Sequence, residues 1–214
     1  MPRAGLSPDA VAAIALEILD ARGPEGLTLK AVADRAAVAT PSLYKHVRGL
    51  PELRWLLTLR ILDEAAGRMG RAVMGRSGKD ALRAYLTEYR AYAGRYPHRQ
   101  ALVERASYDD QIFLAAAGRL IDVAYAVVRG VGLEGEDQVH AVRTLRAAVT
   151  GFVSLENGLG YRAPTDIDAS FGYLSQVLAV GLSETSATEG ALERGQELER
   201  AAEPGRIRTW PDLS

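Results

Sequence analysis

Thr28 to Val47 read TLKAVADRAAVATPSLYKHV, and this stretch decides the fold. Thr28 is placed to cap a short helix running to Arg35, which buries Leu29, Val32 and Ala33 on one face. Ala37, Val38 and Ala39 then form a turn. Thr40 as cap and Pro41 at the first helical position open a second helix through Ser42, Leu43, Tyr44, Lys45 and His46. Leu43 and Val47 turn inward, while Thr40, Ser42, Tyr44, Lys45 and His46 stay outward as polar groups. Two helices of about two turns each, joined by a short turn, have the size and spacing of a helix-turn-helix. The second helix of such a pair fits a DNA major groove with its first residues on base edges.

Upstream lies a helix with clear punctuation: Ser7 as N-cap, Pro8 at its first position, Asp9 in its first turn, and Gly23-Pro24 beyond its end. Val11, Ile14, Ala15, Ile18 and Leu19 fall on one of its faces. Downstream, Pro51 opens a longer helix to about Met69, followed by a Gly/Arg-rich connection over 70–78. Further helices are expected over 80–95, 97–106, 109–129, 136–157 and 166–183. The last of these is apolar on two sides, with Phe171, Leu174 and Leu178 on one and Tyr173, Val177 and Val180 on the other. Alternating β-branched runs bounded by turn pairs are missing, so the chain is expected to be all-α.

Composition narrows the function. The chain has 214 residues, 48% of them hydrophobic and 25% charged, which is ordinary globular usage. Lys and Arg number 26 against 27 Asp and Glu, so no general attraction to nucleic acid or anionic membrane follows. Through residue 60, however, 8 Lys and Arg stand against 6 Asp and Glu, a local +2. With no Cys, thiolate catalysis and Cys-ligated metal sites are excluded. His46, His98 and His140 lie far apart, without metal-ligand spacing, and no Gly-x-Ser-x-Gly or phosphate-cradling loop is present. Neither a cofactor, a metal nor a catalytic residue is expected. The apolar windows 11–19 and 120–128 are broken by Glu17 and Asp122, and both fall short of the ~20 residues of a membrane span. A soluble cytoplasmic protein without membrane contact is expected.

With its flanks, the opening stretch resembles the N-terminal domain of TetR-family transcriptional regulators. The pattern runs Thr28, Ala33, Ala36, Val38, Leu43, Tyr44, His46 and Leu53 at family spacing. The later stretch Gly151-Phe152-Val153-Ser154-Leu155-Glu156 is similar to the family's second domain. The resemblance implies a three-helix helix-turn-helix DNA-binding domain over 1–50, a helical effector-binding and dimerisation domain over 51–184, and a polar tail over 185–214. It implies a homodimeric repressor, released from a double-stranded operator by a small-molecule effector. Thr28 would meet a phosphate, and Lys30 a guanine edge or phosphate. Thr40, Pro41 and Ser42 would read base edges, and Tyr44, Lys45 and His46 would hold the DNA backbone. Three positions depart from the family pattern. Ala37 stands where a turn glycine is usual, and Ala39 where a capping serine is. Leu50 replaces a lysine, leaving Arg48 to supply that phosphate contact. Two other classes fit the same composition: a helical ligand-binding module without DNA function, and an all-α enzyme.

Tyr85, Tyr89, Tyr92 and Tyr96 recur along one helical stripe, either as a core ladder or as the wall of a ligand cavity. In the second reading Tyr89 and Tyr92, with Tyr108, Phe113, Tyr125 and Phe152, would line the effector pocket. Arg143 and Arg146 could neutralise an acidic ligand, or pair with a carboxylate such as Glu156.

Overall fold

The computed structural model describes residues 6–105, 110–158 and 160–186. Nine helices follow one another there: α1 (Pro8–Gly26), α2 (Leu29–Ala36), α3 (Thr40–Leu43), α4 (Leu50–Val73), α5 (Gly78–Arg95), α6 (Pro97–Glu104), α7 (Gln111–Arg129), α8 (Gly135–Asn157) and α9 (Ile167–Ser186). No strand occurs among the described residues. Tyr108 and the tail beyond 186 lie outside them.

The caps that the sequence announces at α1 and α2 are in place. Ser7 Oγ accepts from the Ala10 amide at 3.2 Å, and Thr28 Oγ1 from the Ala31 amide at 3.1 Å. In the turn after α2, where the family pattern has a glycine, Ala37 adopts φ 55°, ψ 42°, the left-handed conformation that a side chain disfavours. At α3 the expectation needs correction. The N-cap is Ala39, not Thr40, and no side chain caps the helix. Regular α-helix spans only Thr40–Leu43, because the chain tightens at Tyr44 and continues as turns through His46. The Val47 amide still donates to the Leu43 carbonyl at 3.0 Å, so Leu43 and Val47 remain stacked and buried.

α1 runs past its expected stop, but with a bend there. Gly23 takes φ 71°, and a Cβ at that point would lie 3.3 Å from His98 Nδ1 of α6. Glycine is therefore required at Gly23 both for its backbone angle and for the approach of α6. α4 is longer than expected: residues 70–73, read as connection, are helical. Met69 is buried and Val73 packs against the core, so tertiary burial outweighs the glycine penalty at Gly70.

The apolar interior falls into linked clusters. One joins α1, α2, α3 and the start of α4 through Leu19, Leu27, Val32, Leu43, Leu53 and Leu57, with Leu102 of α6 added. A second joins α5, α7, α8 and α9 to the end of α4 at Ala65 and Met69. A smaller one around Leu62, Phe113 and Ala116 sits between them. α4 thus passes through all three and, with α6 packed on α1, links the two ends. α7 is apolar and long enough, by length and composition, to cross a membrane, which the broken 120–128 window does not suggest. Here Phe113, Ala116, Ala124, Val127 and Val128 bury one face of it, and Arg119 pairs with Asp63 of α4 at 3.1 Å.

Candidate functional site

Two places gather chemistry, and α4 connects them. The first is the outer face of α2 and α3. Because Leu43 and Val47 anchor the short helix in the core, the intervening side chains point away from it. Tyr44 is 57% exposed, an unusual position for an aromatic ring, and Thr28, Lys30, Pro41, Lys45 and Arg48 are also exposed. Thr40, Ser42 and His46 are half-buried. The nine residues expected on this surface therefore all reach its solvent side. Two of the cations are engaged locally: Lys30 pairs with Asp34 at 2.7 Å, and Arg48 lies 4.0 Å from Glu52, which also accepts from the Arg48 amide. Both pairs are exposed and weak, so a phosphate can displace the carboxylate at little cost. Lys45 has no partner among the described residues.

The second place is a cavity of about 270 Å³, partly open to solvent and lined by α4, α5, α6, α7 and α8. All four tyrosines of the stripe line it, so the core ladder and the cavity wall are the same surface. Of the expected pocket residues, Tyr89, Tyr92 and Phe113 are in the wall. Tyr125 packs into the core, and Phe152 is drawn elsewhere. Its ring stands 5.1 Å from that of Phe171, and the Arg90 guanidinium lies over both. Arg90 pairs with Glu156 at 2.5 Å and Asp168 at 2.8 Å, clasping α5 to α8 and α9. The expectation that Glu156 answers Arg143 or Arg146 is thus replaced by a partner on another helix. Arg146 lines the cavity, and Arg143 does not.

Sequence reasoning misses Arg99, which stands in the same wall. Only 6% exposed, it donates two parallel bonds to Asp20 of α1 at 2.9 and 2.8 Å, and one each to Glu64 of α4 at 2.9 Å and Tyr92 at 3.0 Å. Its plane lies 3.5 Å over the Tyr96 ring. Burial opposes its charge, but the hydrogen bonds of Asp20 and Tyr92 and the Asp20 charge outweigh that, so the guanidinium holds its proton more firmly than a free arginine. A cation of this kind ties the helix-turn-helix end, through α1, to the lining of the cavity. Its partners are 79 and 35 residues away, a separation that leaves no local signal. Across the cavity the Tyr85 phenol is pushed well above the usual tyrosine range by burial and by Tyr89, with Arg146 acting in the opposite direction.

Comparison with known proteins places these features together. The family model for bacterial regulatory proteins of the tetR family matches residues 12–48, and that for the tetracyclin repressor-like C-terminal domain matches 82–178. An uncharacterised HTH-type transcriptional regulator of Mycobacterium tuberculosis is 33% identical over 189 residues, covering 87% of this chain and 86% of the relative. A Rhodococcus protein of unknown function superimposes with a TM-score of 0.74 at 20% identity, over 86% of this chain and 99% of the other. A TetR variant from Acinetobacter baumannii, solved in complex with minocycline, gives 0.63 at 22% identity, over 86% and 100%.

Proposed function

This chain belongs to the TetR family of bacterial DNA-binding transcriptional regulators, and we propose that it works as a cytoplasmic repressor released from its operator by a small molecule. The observation that carries the reading is the α3 surface: Leu43 and Val47 fix a short rod in the core while Tyr44 and Lys45 stand out in solvent beside Thr40, Pro41 and Ser42. Thr28, Lys30, Tyr44, Lys45, His46 and Arg48 hold phosphates and set the register. Thr40, Pro41 and Ser42 meet base edges, where a hydroxyl offers donor or acceptor and the proline ring can touch a thymine methyl.

A palindromic operator requires two such rods about 34 Å apart, one turn of duplex. The second copy docks on α8 and α9. There Tyr173 is 74% exposed and Val177 and Leu155 50%, and a Cβ on Gly151 or Gly172 would meet nothing within 4 Å. Two helices from each copy then form a four-helix interface. The head ends and the α4 link begins near residue 50.

The minocycline complex of the Acinetobacter neighbour supports reading the cavity as an effector site here. An effector among α4, α5 and α7 displaces α4 and respaces the rods, provided it binds the respaced state better; couplings of this sort are typically about 1–3 kcal/mol. The test is an electrophoretic shift with DNA from upstream of the protein's own coding region. Specific binding that weakens steeply with salt is expected. Intact dimers with no salt-sensitive affinity for that or any duplex would refute the reading.

A further inference from the structure

The cavity wall is mostly apolar, and its polar residues, gathered on α6 and on α5 and α8, differ in what remains unsatisfied. At the α6 end, Arg99 has committed four of its five donors to Asp20, Glu64 and Tyr92, and Gln100 Nε2 donates to Glu104 at 2.9 Å. With the Asp20, Glu64 and Glu104 carboxylates around one guanidinium, that end is negative on balance and repels an anion. At the α5–α8 end, the Tyr89 hydroxyl is matched with Thr150 Oγ1 at 3.0 Å. Two groups are not matched. Tyr85 is only 7% exposed, yet its hydroxyl has no hydrogen-bond partner among the described residues. The oxygen is not sealed in the core: it opens onto the cavity, where it offers a donor to a guest. Arg146, which shares the wall, is exposed and solvated, and it too has no carboxylate or hydrogen-bond partner among the described residues. Both face the same cavity, from helices α5 and α8 that pack together.

We propose that the effector is a compact molecule with a planar apolar body and one anionic acceptor group, such as a carboxylate, bound by Arg146 together with the Tyr85 hydroxyl. The proposal rests on reading this cavity as the effector site. The body lies along the ladder of Tyr89, Tyr92 and Tyr96, whose rings offer flat faces for it. The volume of about 270 Å³ is at the small end of ligand sites, which suits a bicyclic or tricyclic skeleton. A negative acceptor uses both donors at once; a cation would have to turn to the α6 end, where Glu104 lines the wall with no cationic partner among the described residues, and would leave Arg146 and Tyr85 unused. A neutral body fills the space but leaves Arg146 to water, without the charge-assisted bonds that an anion adds.

Three probes with one skeleton separate these cases: naphthoate, its methyl ester and naphthylmethylammonium, titrated calorimetrically into the full dimeric protein. Naphthoate is expected to bind at least about tenfold more tightly than the ester, and the ammonium most weakly. Arg146→Gln should bring naphthoate down to the ester's affinity without altering the ester. Arg146→Lys should retain most of the preference, and Tyr85→Phe should weaken naphthoate severalfold more than the ester. Equal or inverted affinities, a naphthoate-to-ester ratio unchanged in Arg146→Gln, or no binding of any probe at millimolar concentration would each overturn the proposal. Operator release is read separately. An acid preference without DNA release leaves the anion site standing and sinks the effector reading, while release by neutral compounds without an acid preference does the reverse.

Discussion

Replacing Arg99 with leucine should cost the protein about 2–3 kcal/mol of folding stability. Arg99 is 6% exposed and makes four charge-assisted or polar bonds to Asp20, Glu64 and Tyr92. Removing one member of a fully buried ion pair typically costs about 3–5 kcal/mol, because the partner is left charged in a poor solvent. The partners here are not fully buried: the Asp20 and Glu64 side chains keep 24% and 34% of their exposure. Water can therefore rehydrate part of each carboxylate, and leucine fills the space, which moves the figure below that range. For a chain of 214 residues each kcal/mol shifts Tm by about 2–4 °C, so a fall of about 4–12 °C follows at fixed protein concentration. Geometry also ranks the partners. Asp20 receives two parallel bonds and Glu64 one, so a double-mutant cycle should couple Arg99 to Asp20 by about 1.5–2 kcal/mol and to Glu64 by roughly half as much. A coupling to Asp20 below about 0.5 kcal/mol, or smaller than that to Glu64, would refute the reasoning. Since Arg99 joins α1 and α4 to the cavity wall, the leucine variant should also hold its operator while responding less to effector.

Other perturbations test separate parts of the account. Ala37→Gly relieves a left-handed residue worth about 1–2 kcal/mol at some entropic cost, so urea unfolding should show a net gain of about 0.5–1 kcal/mol; a loss would contradict the φ of 55°. Lys45→Ala should weaken DNA binding across sequences and lower the salt slope by about one per protomer, while Thr40→Ala should chiefly relax base preference. If both leave operator affinity unchanged, the reading face is misassigned. Val177→Glu places a charge in the α9 surface and should shift sedimentation toward the mass of one chain, with helical content retained; an undisturbed dimer would move the interface elsewhere.

What the sequence discloses is what local chemistry controls. The Ser7 and Thr28 caps, the inward pair Leu43 and Val47, and the unfavourable Ala37 turn all depend on neighbours within about one helical turn, and each can be read directly from the chain. The same reasoning misplaces the α3 cap at Thr40 and carries that helix to His46, since the chain tightens as Tyr44 turns out of the core surface. It ends α4 early because glycine signals a break, whereas burial of Met69 and Val73 holds the helix through Gly70. For the cavity, helical spacing brings Tyr85, Tyr89, Tyr92 and Tyr96 to one face but cannot say which other aromatics share it. Phe113 does, and Phe152 is claimed by Arg90 and Phe171. The Arg99 clasp is invisible for the same reason: its specificity arises only when α1, α4 and α6 meet.

The central claim is that two copies of α3 enter successive major grooves. The chain contains no cysteine, so Ala39→Cys, at the exposed start of that helix, can carry a single spin label on each protomer. Pulsed dipolar spectroscopy of the operator complex should give one narrow distance near ~34 Å, extended by the label arms, that shifts or broadens when effector is added. A broad distribution on the operator, or a distance far from one turn of duplex, would contradict the account.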